Sequence, residues 1–268
     1  MRGRRNVPIR YYDDPLRDDF SGFPPARPIR VDEHFRYIRR GLLFSLSSFL
    51  LYRVIMTPLA ALYCRLCFRL RLRGNVAALR RCRAGYLYGN HTQAPGDGFF
   101  PSLAAFPRRV YVVAHPDNIA RRGTRTVMQM LGALPTPTTR RGLPAFRRAV
   151  AARAAHGCVT VYPEAHIWPY ASVIRPFTDT SFTFPAEDGL PVFSGTVVYH
   201  ATRRGKPRIE LWIDGPFSGE GEGQRARRAD LRNKVYDAMC RRAAQGDAVF
   251  VRYESRPDQP NHRKGAIG

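Results

Sequence analysis

A histidine and a carboxylate lie six residues apart in the segment 86–97 (YLYGNHTQAPGD), where a short apolar run ends at Asn90. The imidazole of His91 can take up and release a proton near neutral pH. A carboxylate bonded to its other ring nitrogen, here that of Asp97, would fix the tautomer and the orientation of the ring. The spacing therefore suggests a general base with an orienting acid. The alternative is a loop histidine followed by an aspartate that caps the next helix.

A second carboxylate follows another apolar run. Residues 158–162 (CVTVY) have the composition of a buried strand, and the run ends at Pro163 and Glu164. Such strands alternate along the chain with helical patterns, which indicates an α/β fold with a largely parallel central sheet flanked by helices. The ligand site of such a sheet lies beyond the carboxyl ends of its strands. We expect His91 and Glu164 to meet there.

The apolar patterns also predict the bounds of the elements. Strands are expected over residues 66–73, 85–88, 110–114, 158–162, 192–199 and 209–213, with a basic turn at 203–206. Helices are expected over residues 97–105, 118–131, 143–155 and 225–244. The helix 118–131 should turn Val127, Met130 and Leu131 inward. The chain then divides into an irregular arm (1–31), a membrane-associated helical segment (32–64), an α/β domain (65–253) and a flexible tail (254–268).

The apolar run 41–63 is long enough for a transmembrane helix, but Arg53 lies near its centre and Pro58 follows. Arginines flank it on both sides: Arg36, Arg39 and Arg40 before it, and Arg65, Arg69, Arg71 and Arg73 after it. A single span should carry its positive charges mainly on one side. We therefore predict a helix broken near Arg53 to Pro58 that lies in, or re-enters, one leaflet. The alternative is a helix buried in the core of a soluble domain.

The chain of 268 residues is strongly basic, with 44 Lys and Arg against 21 Asp and Glu and a formal net charge of +23. Such a charge favours a polyanionic partner. Arginines that flank an apolar helix fit anionic membrane lipids, and no nucleic-acid-binding motif accompanies them, so nucleic acid is not expected. The five cysteines have no regular spacing and predict reduced thiols without a metal site. No signal peptide precedes the apolar run, so the expected location is the cytoplasmic face of the cell membrane.

Four sequence blocks, in this order, carry a resemblance to a known family. They are Asn90-His91-Thr92-Gln93 with Asp97, the segment 131–134 (LGAL) with Arg140 and Arg141 downstream, the segment 161–166 (VYPEAH), and the segment 190–193 (LPVF). Together they resemble the NH(x4)D, phosphate-binding Arg, FPEGTR and Pro blocks of the PlsC-like glycerolipid acyltransferases. The resemblance extends over about two thirds of the chain, from about Gly41 to about Phe217.

The resemblance implies an enzyme that moves a fatty acyl group from acyl-CoA or acyl carrier protein to a lysophospholipid, with lysophosphatidate as the expected acceptor. It implies His91 as general base, Asp97 as its orienting partner, and no bound cofactor or metal. The substrate-binding residues that it implies are Asn90, Thr92, Gln93, Arg140, Arg141 and Glu164. Backbone N–H groups of the turn 93–98 are candidates for stabilising the oxyanion.

The chain departs from the family pattern at two places. Asp97 lies one residue further from His91 than the family spacing, and Gly96 occupies the expected position. In the third block Ile167 stands where the family has a phosphate-binding arginine, and we assign Arg175 to that role instead. The departures keep two alternatives open: another lysolipid or a glycolipid as acceptor, and a family-like domain without activity. The basic charge keeps a third open, a basic lipid-binding protein without catalysis.

Overall fold

The computed structural model describes residues 7–22, 29–120, 123–202 and 207–257. Its strands are β1 (Ile9–Tyr12), β2 (Arg71–Gly74), β3 (Gly85–Gly89), β4 (Val110–Ala114), β5 (Ala133–Pro135), β6 (Cys158–Val161), β7 (Val192–His200), β8 (Arg208–Phe217) and β9 (Arg252–Ser255). Its α-helices are α1 (Leu42–Phe49), α2 (Thr57–Phe68), α3 (Val76–Arg81), α4 (Gly96–Ala104), α5 (Thr124–Met130), α6 (Leu143–Ala154), α7 (Thr183–Asp188) and α8 (Gly223–Ala243).

Within the described residues, the main sheet has seven strands in the order β2-β8-β7-β3-β6-β4-β5. The strands from β7 to β5 are mutually parallel, whereas β8 runs antiparallel to β7 and pairs in parallel with β2. The carboxyl ends of β7, β3, β6, β4 and β5 therefore share one edge. The predicted α/β fold with a largely parallel sheet and flanking helices is confirmed.

Each face of the sheet carries its own core, as the alternation along β3 illustrates. All five residues of β3 are buried, and Tyr86 and Tyr88 face the core formed with α6 and α8. Leu87, between them, faces the opposite core, to which α2 and α4 contribute Phe68 and Phe100. Because successive side chains of a strand point to opposite faces, a strand covered on both sides must be apolar throughout. This explains why the apolar run predicted β3 correctly.

The apolar segment forms one continuous helical run, Leu42–Phe68, rather than the predicted broken helix. A π-helical stretch, Leu50–Met56, joins α1 to α2. Pro58 lies in the first turn of α2, directly after the π-helical stretch, and the helical run continues through it without a break. The guanidinium of Arg53 bonds to the carbonyl of Pro107 and lies 5.0 Å from the ring centroid of Phe106, so its charge is held by the protein.

This run is the one helix in the described part of the chain that is long and apolar enough to cross a membrane, judged by length and composition. Little of it is buried, so it is not the core helix of the alternative interpretation. Its large exposed side chains are Leu42, Leu43, Leu46, Phe49, Leu50, Val54, Ile55, Leu59, Leu62, Tyr63 and Leu66.

The strand predicted over 66–73 is shorter than expected, because α2 continues to Phe68 and β2 begins only at Arg71. Phe68 packs edge-on against Phe100, and Arg69 closes the helix with a left-handed φ of 48°. This tertiary contact outweighs the alternating pattern of the sequence.

The helix predicted over 118–131 is also shorter, because Pro116–Ile119 forms a 3-10 turn and α5 spans only Thr124–Met130. Val127 is exposed rather than inward. Gln129 is buried in its place, and its side-chain amide bonds to the carbonyl of Arg36 and the guanidinium of Arg39. Strand β5 lies between the two predicted helices 118–131 and 143–155, where the sequence pattern predicts no strand.

A second, two-stranded sheet joins a strand from the first part of the chain to one from its last part. The arm predicted to be irregular contains β1, which pairs in parallel with β9, a strand that crosses the predicted boundary at residue 253. The rest of the predicted arm and tail at 1–6, 23–28 and 258–268, and the basic turn at 203–206, lie outside the described residues.

Candidate active site

The loop that follows β3 brings His91 and Asp97 together at the carboxyl edge of the sheet. Nδ1 of His91 lies 2.7 Å from Oδ2 of Asp97. Asp97 lies in the first turn of α4. The same carboxylate oxygen accepts the main-chain N–H of Gln93 at 2.9 Å. The carboxylate is almost fully buried, whereas the imidazole keeps a small exposed fraction of 18%. An imidazole held in this way through Nδ1 presents Nε2 to an incoming group.

Burial dominates the electrostatics of Asp97. It raises the pKa of the carboxyl, and the hydrogen bond and charge of His91 offset only part of that increase. The N–H groups of Gln93 and Asp97 are both engaged within the turn, the first by the carboxylate and the second by the carbonyl of Gln93. These two amides are therefore not free to stabilise an oxyanion, and the candidates in the turn 93–98 are reduced to the remaining N–H groups.

The neighbours of His91 fix the loop on the sheet. The side-chain amide of Asn90 accepts from the N–H of Val197 at 2.8 Å and donates to its carbonyl at 3.2 Å. The hydroxyl of Tyr199 bonds to the hydroxyl of Thr92 at 2.9 Å. Asn90, Thr92 and Gln93 are all buried. The contacts of Asn90 and Thr92 are with β7, so these two side chains hold the loop that carries His91 on the sheet.

Tyr162 is a site residue that sequence reasoning missed. Its ring is stacked on the imidazole of His91, with centroids 4.5 Å apart and an interplanar angle of 16°. Its hydroxyl donates to the main-chain carbonyl of Asp97. Gly89 makes room for the ring, since a Cβ at that position would lie 2.7 Å from Cε1 of Tyr162. The available signal was an aromatic residue at the end of β6 and a glycine at the end of β3, on adjacent strands.

Glu164 reaches the same loop from the end of β6. Its Oε2 accepts the main-chain N–H of His91 at 2.9 Å, and its Oε1 accepts the main-chain N–H of Arg175 at 2.9 Å. The guanidinium of Arg175 also lies 3.3 Å from Oε2. Burial raises the pKa of Glu164, and the adjacent arginine charge lowers it in part. The expected meeting of His91 and Glu164 therefore occurs through the main chain of the histidine.

Arg175, assigned from the sequence to the acceptor phosphate, is instead committed inside the protein. Its side chain is 3% exposed. Besides Glu164, it donates to the carbonyls of Pro15 and His166 and lies 4.7 Å from the ring centroid of Trp168. This environment favours the other role considered for Glu164, that of holding an arginine, and leaves Arg175 poorly placed to meet a phosphate from solvent.

Arg140 and Arg141 are exposed in a 3-10 turn, Arg140–Gly142, between β5 and α6. They lie at the same edge of the sheet as His91, but β6 and β4 stand between β3 and β5. Three strand spacings correspond to a lateral separation of about 14 Å. The strand that precedes the two arginines is thus separated from the strand that precedes His91 by two intervening strands.

The cysteines Cys64, Cys67, Cys82, Cys158 and Cys240 are all free thiols. Among residues 7–22, 29–120, 123–202 and 207–257, no group of three or more His, Cys, Asp or Glu side chains is arranged to hold a metal ion.

No protein-family model matches the chain, and no curated protein matches it. Among solved structures it is similar to the 1-acyl-sn-glycerophosphate (LPA) acyltransferase PlsC from Thermotoga maritima, with a TM-score of 0.53 and 16% sequence identity. The similarity covers 76% of this chain and 86% of the other. The chain therefore has a PlsC-like fold, which confirms the resemblance seen in its four sequence blocks at the level of the fold.

Proposed function

We propose that this protein is a membrane-associated acyltransferase that moves a fatty acyl group from an acyl thioester to the hydroxyl of a lysophospholipid. The observation that carries the proposal is the pairing of His91 with Asp97 across the loop after β3, at 2.7 Å. This pairing places a base and an orienting carboxylate at the carboxyl edge of the sheet in a PlsC-like fold. Lysophosphatidate is the first acceptor to be tested, and acyl-CoA and acyl carrier protein are the two candidate donors.

In the proposed reaction, Nε2 of His91 takes the proton from the acceptor hydroxyl as its oxygen attacks the thioester carbonyl. The carboxylate of Asp97 stabilises the imidazolium that forms. The tetrahedral intermediate then collapses, the carbon–sulfur bond breaks, and the leaving thiolate receives the proton from the imidazolium. The hydroxyl attacks directly, so no serine or cysteine nucleophile is needed, in keeping with a site built around a single imidazole.

The apolar helical run supports a membrane location for this chemistry. Its exposed leucines would enter the acyl region, and Arg65, Arg69 and Arg71 at its carboxyl end are exposed and suited to anionic headgroups. The same helix packs against the one that carries Asp97, with Tyr63 and Phe99 in edge contact at 6.0 Å. A lipid substrate would then approach the site from the membrane side. We propose the cytoplasmic face, with the helix monotopic or re-entrant.

A second acceptor class is favoured by one observation. Ile167 stands where the family pattern has a phosphate-binding arginine, and Arg175, the nearest substitute in sequence, is buried against Glu164. The acceptor-phosphate site then depends on Arg140 and Arg141. If these two arginines do not bind the phosphate of the acceptor, the acceptor is a different lysolipid or a glycolipid.

The test is acyl transfer by the purified full-length protein in detergent. Labelled acyl-CoA and acyl carrier protein are each offered with lysophosphatidate, other lysophospholipids and a glycolipid. We expect transfer to lysophosphatidate by the wild type and a loss of about 10²- to 10⁴-fold in His91→Ala. His34→Ala is the matched control, since that imidazole is 86% exposed on the surface. Full activity in His91→Ala would exclude the mechanism, and no transfer to any acceptor would favour a lipid-binding protein without catalysis.

A further inference from the structure

The N-terminal arm, residues 7–22, lies against the loop that carries Glu164 and Arg175. Its strand β1 pairs with β9, and the two strands form a two-stranded sheet. At its other end, the N–H of Phe20 donates to the carbonyl of Ile167 at 3.0 Å. The carbonyl of Asp18 accepts from the indole Nε1 of Trp168 at 2.8 Å. We refer to the arm together with β9 as the terminal clamp.

The side chain of Trp168 packs against the terminal clamp. It is 2% exposed, and three aromatic rings of the clamp surround it. Its ring centroid lies 4.8 Å from that of Tyr12, 5.3 Å from that of Phe20 and 4.6 Å from that of Tyr253. The hydroxyl of Tyr253 donates to the carbonyl of Pro169, the next residue, at 2.9 Å. Ring contacts of this kind add to the stabilisation from burial alone.

Trp168 in turn contacts the candidate active site. Its main-chain N–H donates to the carbonyl of His91 at 3.1 Å. Its ring lies 4.7 Å from the guanidinium carbon of Arg175, which pairs with Glu164. Glu164 accepts the N–H of His91. The peptide groups on both sides of the histidine are therefore held by the loop to which Trp168 belongs.

That loop, residues 163–175, is described throughout and forms neither helix nor strand. Ala165 and Tyr170 have left-handed φ values of 63° and 60°. Such conformations cost free energy for residues other than glycine and persist only when the surroundings enforce them. Bonds within the loop, such as those from Arg175 to Glu164 and to the carbonyl of His166, supply part of these contacts, and the structures packed on the loop supply the rest.

We propose that the terminal clamp sets the position of His91, and that Trp168 is the positioning residue through which it acts. The consequence for catalysis rests on the acyltransferase function proposed above. A base must be held within a fraction of an ångström of its productive position, and a small displacement reduces turnover by one to two orders of magnitude. The arm is thus a structural part of the site, although none of its residues need touch a substrate.

The experiment compares Phe20→Ala with Tyr11→Ala in the full-length protein. Phe20 contacts both Trp168 and Tyr253, whereas Tyr11, on the same arm, is exposed. Hydrogen exchange of peptides that contain the amides of His91 and Arg175 is measured for both variants. We expect exchange about tenfold faster in Phe20→Ala and unchanged in Tyr11→Ala. Tyr253→Phe keeps the ring and removes the bonds of the hydroxyl to Pro169 and Arg10. It should give a smaller increase, and it serves if Phe20→Ala does not fold.

Turnover provides the second readout. We expect kcat to fall about tenfold in Phe20→Ala with KM for the acyl donor unchanged. If hydrogen exchange at the amide of His91 is unchanged in a folded Phe20→Ala variant, the terminal clamp does not set the position of His91, whether or not the wild type is active. Faster exchange with undiminished kcat overturns its positioning role. A wild type without acyl transfer overturns the proposed function instead, and the exchange at His91 then decides on the clamp alone.

Discussion

Nδ1 of His91 lies 2.7 Å from Oδ2 of Asp97, although the chain places the carboxylate one residue beyond the family spacing. The structure accommodates the longer spacing. A Cβ at Gly96 would lie 2.4 Å from Cζ of Phe100, one turn further along the same helix, so a side chain at the expected position would require the buried ring of Phe100 to move. The turn 94–96 absorbs the additional residue, and α4 then presents Asp97 to the imidazole.

Replacing Asp97 with asparagine should reduce kcat by about 10³-fold while stabilising the fold at neutral pH. An amide at this position favours the wrong tautomer of His91, which explains the loss of activity. Burial raises the pKa of Asp97, so the folded protein retains this proton to a higher pH than the unfolded chain. The stability conferred is full below the ordinary pKa of the carboxyl and is lost as the pH rises through the raised value.

Thermal unfolding of wild type and Asp97→Asn is therefore compared from about pH 3 to pH 7. Asparagine does not titrate, so the melting temperature of the variant minus that of the wild type should become more positive as the pH rises above about 4. A difference that stays constant, or that falls with pH, contradicts the assigned direction. Kinetic measurement of acyl transfer by the same preparations checks the activity.

Gly89→Ala should destabilise the protein by about 1 to 3 kcal/mol and reduce acyl transfer. The added methyl group would meet the ring of Tyr162, which is stacked on His91 and bonded to the carbonyl of Asp97, so all three residues must shift. Urea unfolding measures the stability. Gly98→Ala is the control, because that glycine is exposed in α4 with nothing within 4 Å of its Cβ position. It should gain about 0.5 to 1 kcal/mol, and a loss as large as that of Gly89→Ala would refute the steric explanation.

The sequence predicted the central strands of the main sheet better than the short strands at its edge and in the second sheet. Strands β3 and β6 are buried throughout and β4 is partly buried, so continuous apolar runs identify them. Helix α6 buries Phe146, Val150 and Ala154 at helical spacing, as expected. Strands β1, β5 and β9 have three or four residues each and little periodicity. They owe their conformation to partners distant in the chain, which a local pattern cannot reveal.

The residues of the candidate active site were likewise predicted only in part. The order of the sequence blocks was enough to place His91 and Glu164 at one edge of the sheet. The positions of Tyr162 and Trp168 depend on contacts between segments more than sixty residues apart, such as the bond from the Trp168 indole to Asp18, 150 residues away. Arg175 was assigned by its charge, and only the packing around it reveals that its guanidinium is already occupied.

Arg175→Met should destabilise the protein by about 3 to 5 kcal/mol, because it leaves the buried carboxylate of Glu164 without its counter-charge. The pKa of Glu164, which the arginine lowers, should rise further. Adding Glu164→Gln to Arg175→Met should restore part of the stability. A double-mutant cycle by urea unfolding measures the coupling between the two residues. Additive effects would indicate that they do not act as a pair.

The double variant Arg140→Ala/Arg141→Ala should raise KM for lysophosphatidate by about 10- to 100-fold, which corresponds to the loss of charge-assisted hydrogen bonds to one phosphate. Both side chains are exposed, so the fold should keep its melting temperature. Strands β6 and β4 lie between β3 and β5, the strand that precedes these arginines, so we expect them to bind the acceptor away from the reacting hydroxyl and kcat to change little.

Arg148→Ala is the matched control, since that side chain is equally exposed on α6, the helix that follows the turn. It should leave KM unchanged. The comparison also separates the acceptor classes, because an acceptor without a phosphate monoester should be insensitive to the double variant. If KM for lysophosphatidate is the same in wild type and double variant, these arginines do not bind the acceptor phosphate, and Ile167 and the buried Arg175 then favour an acceptor recognised in another way.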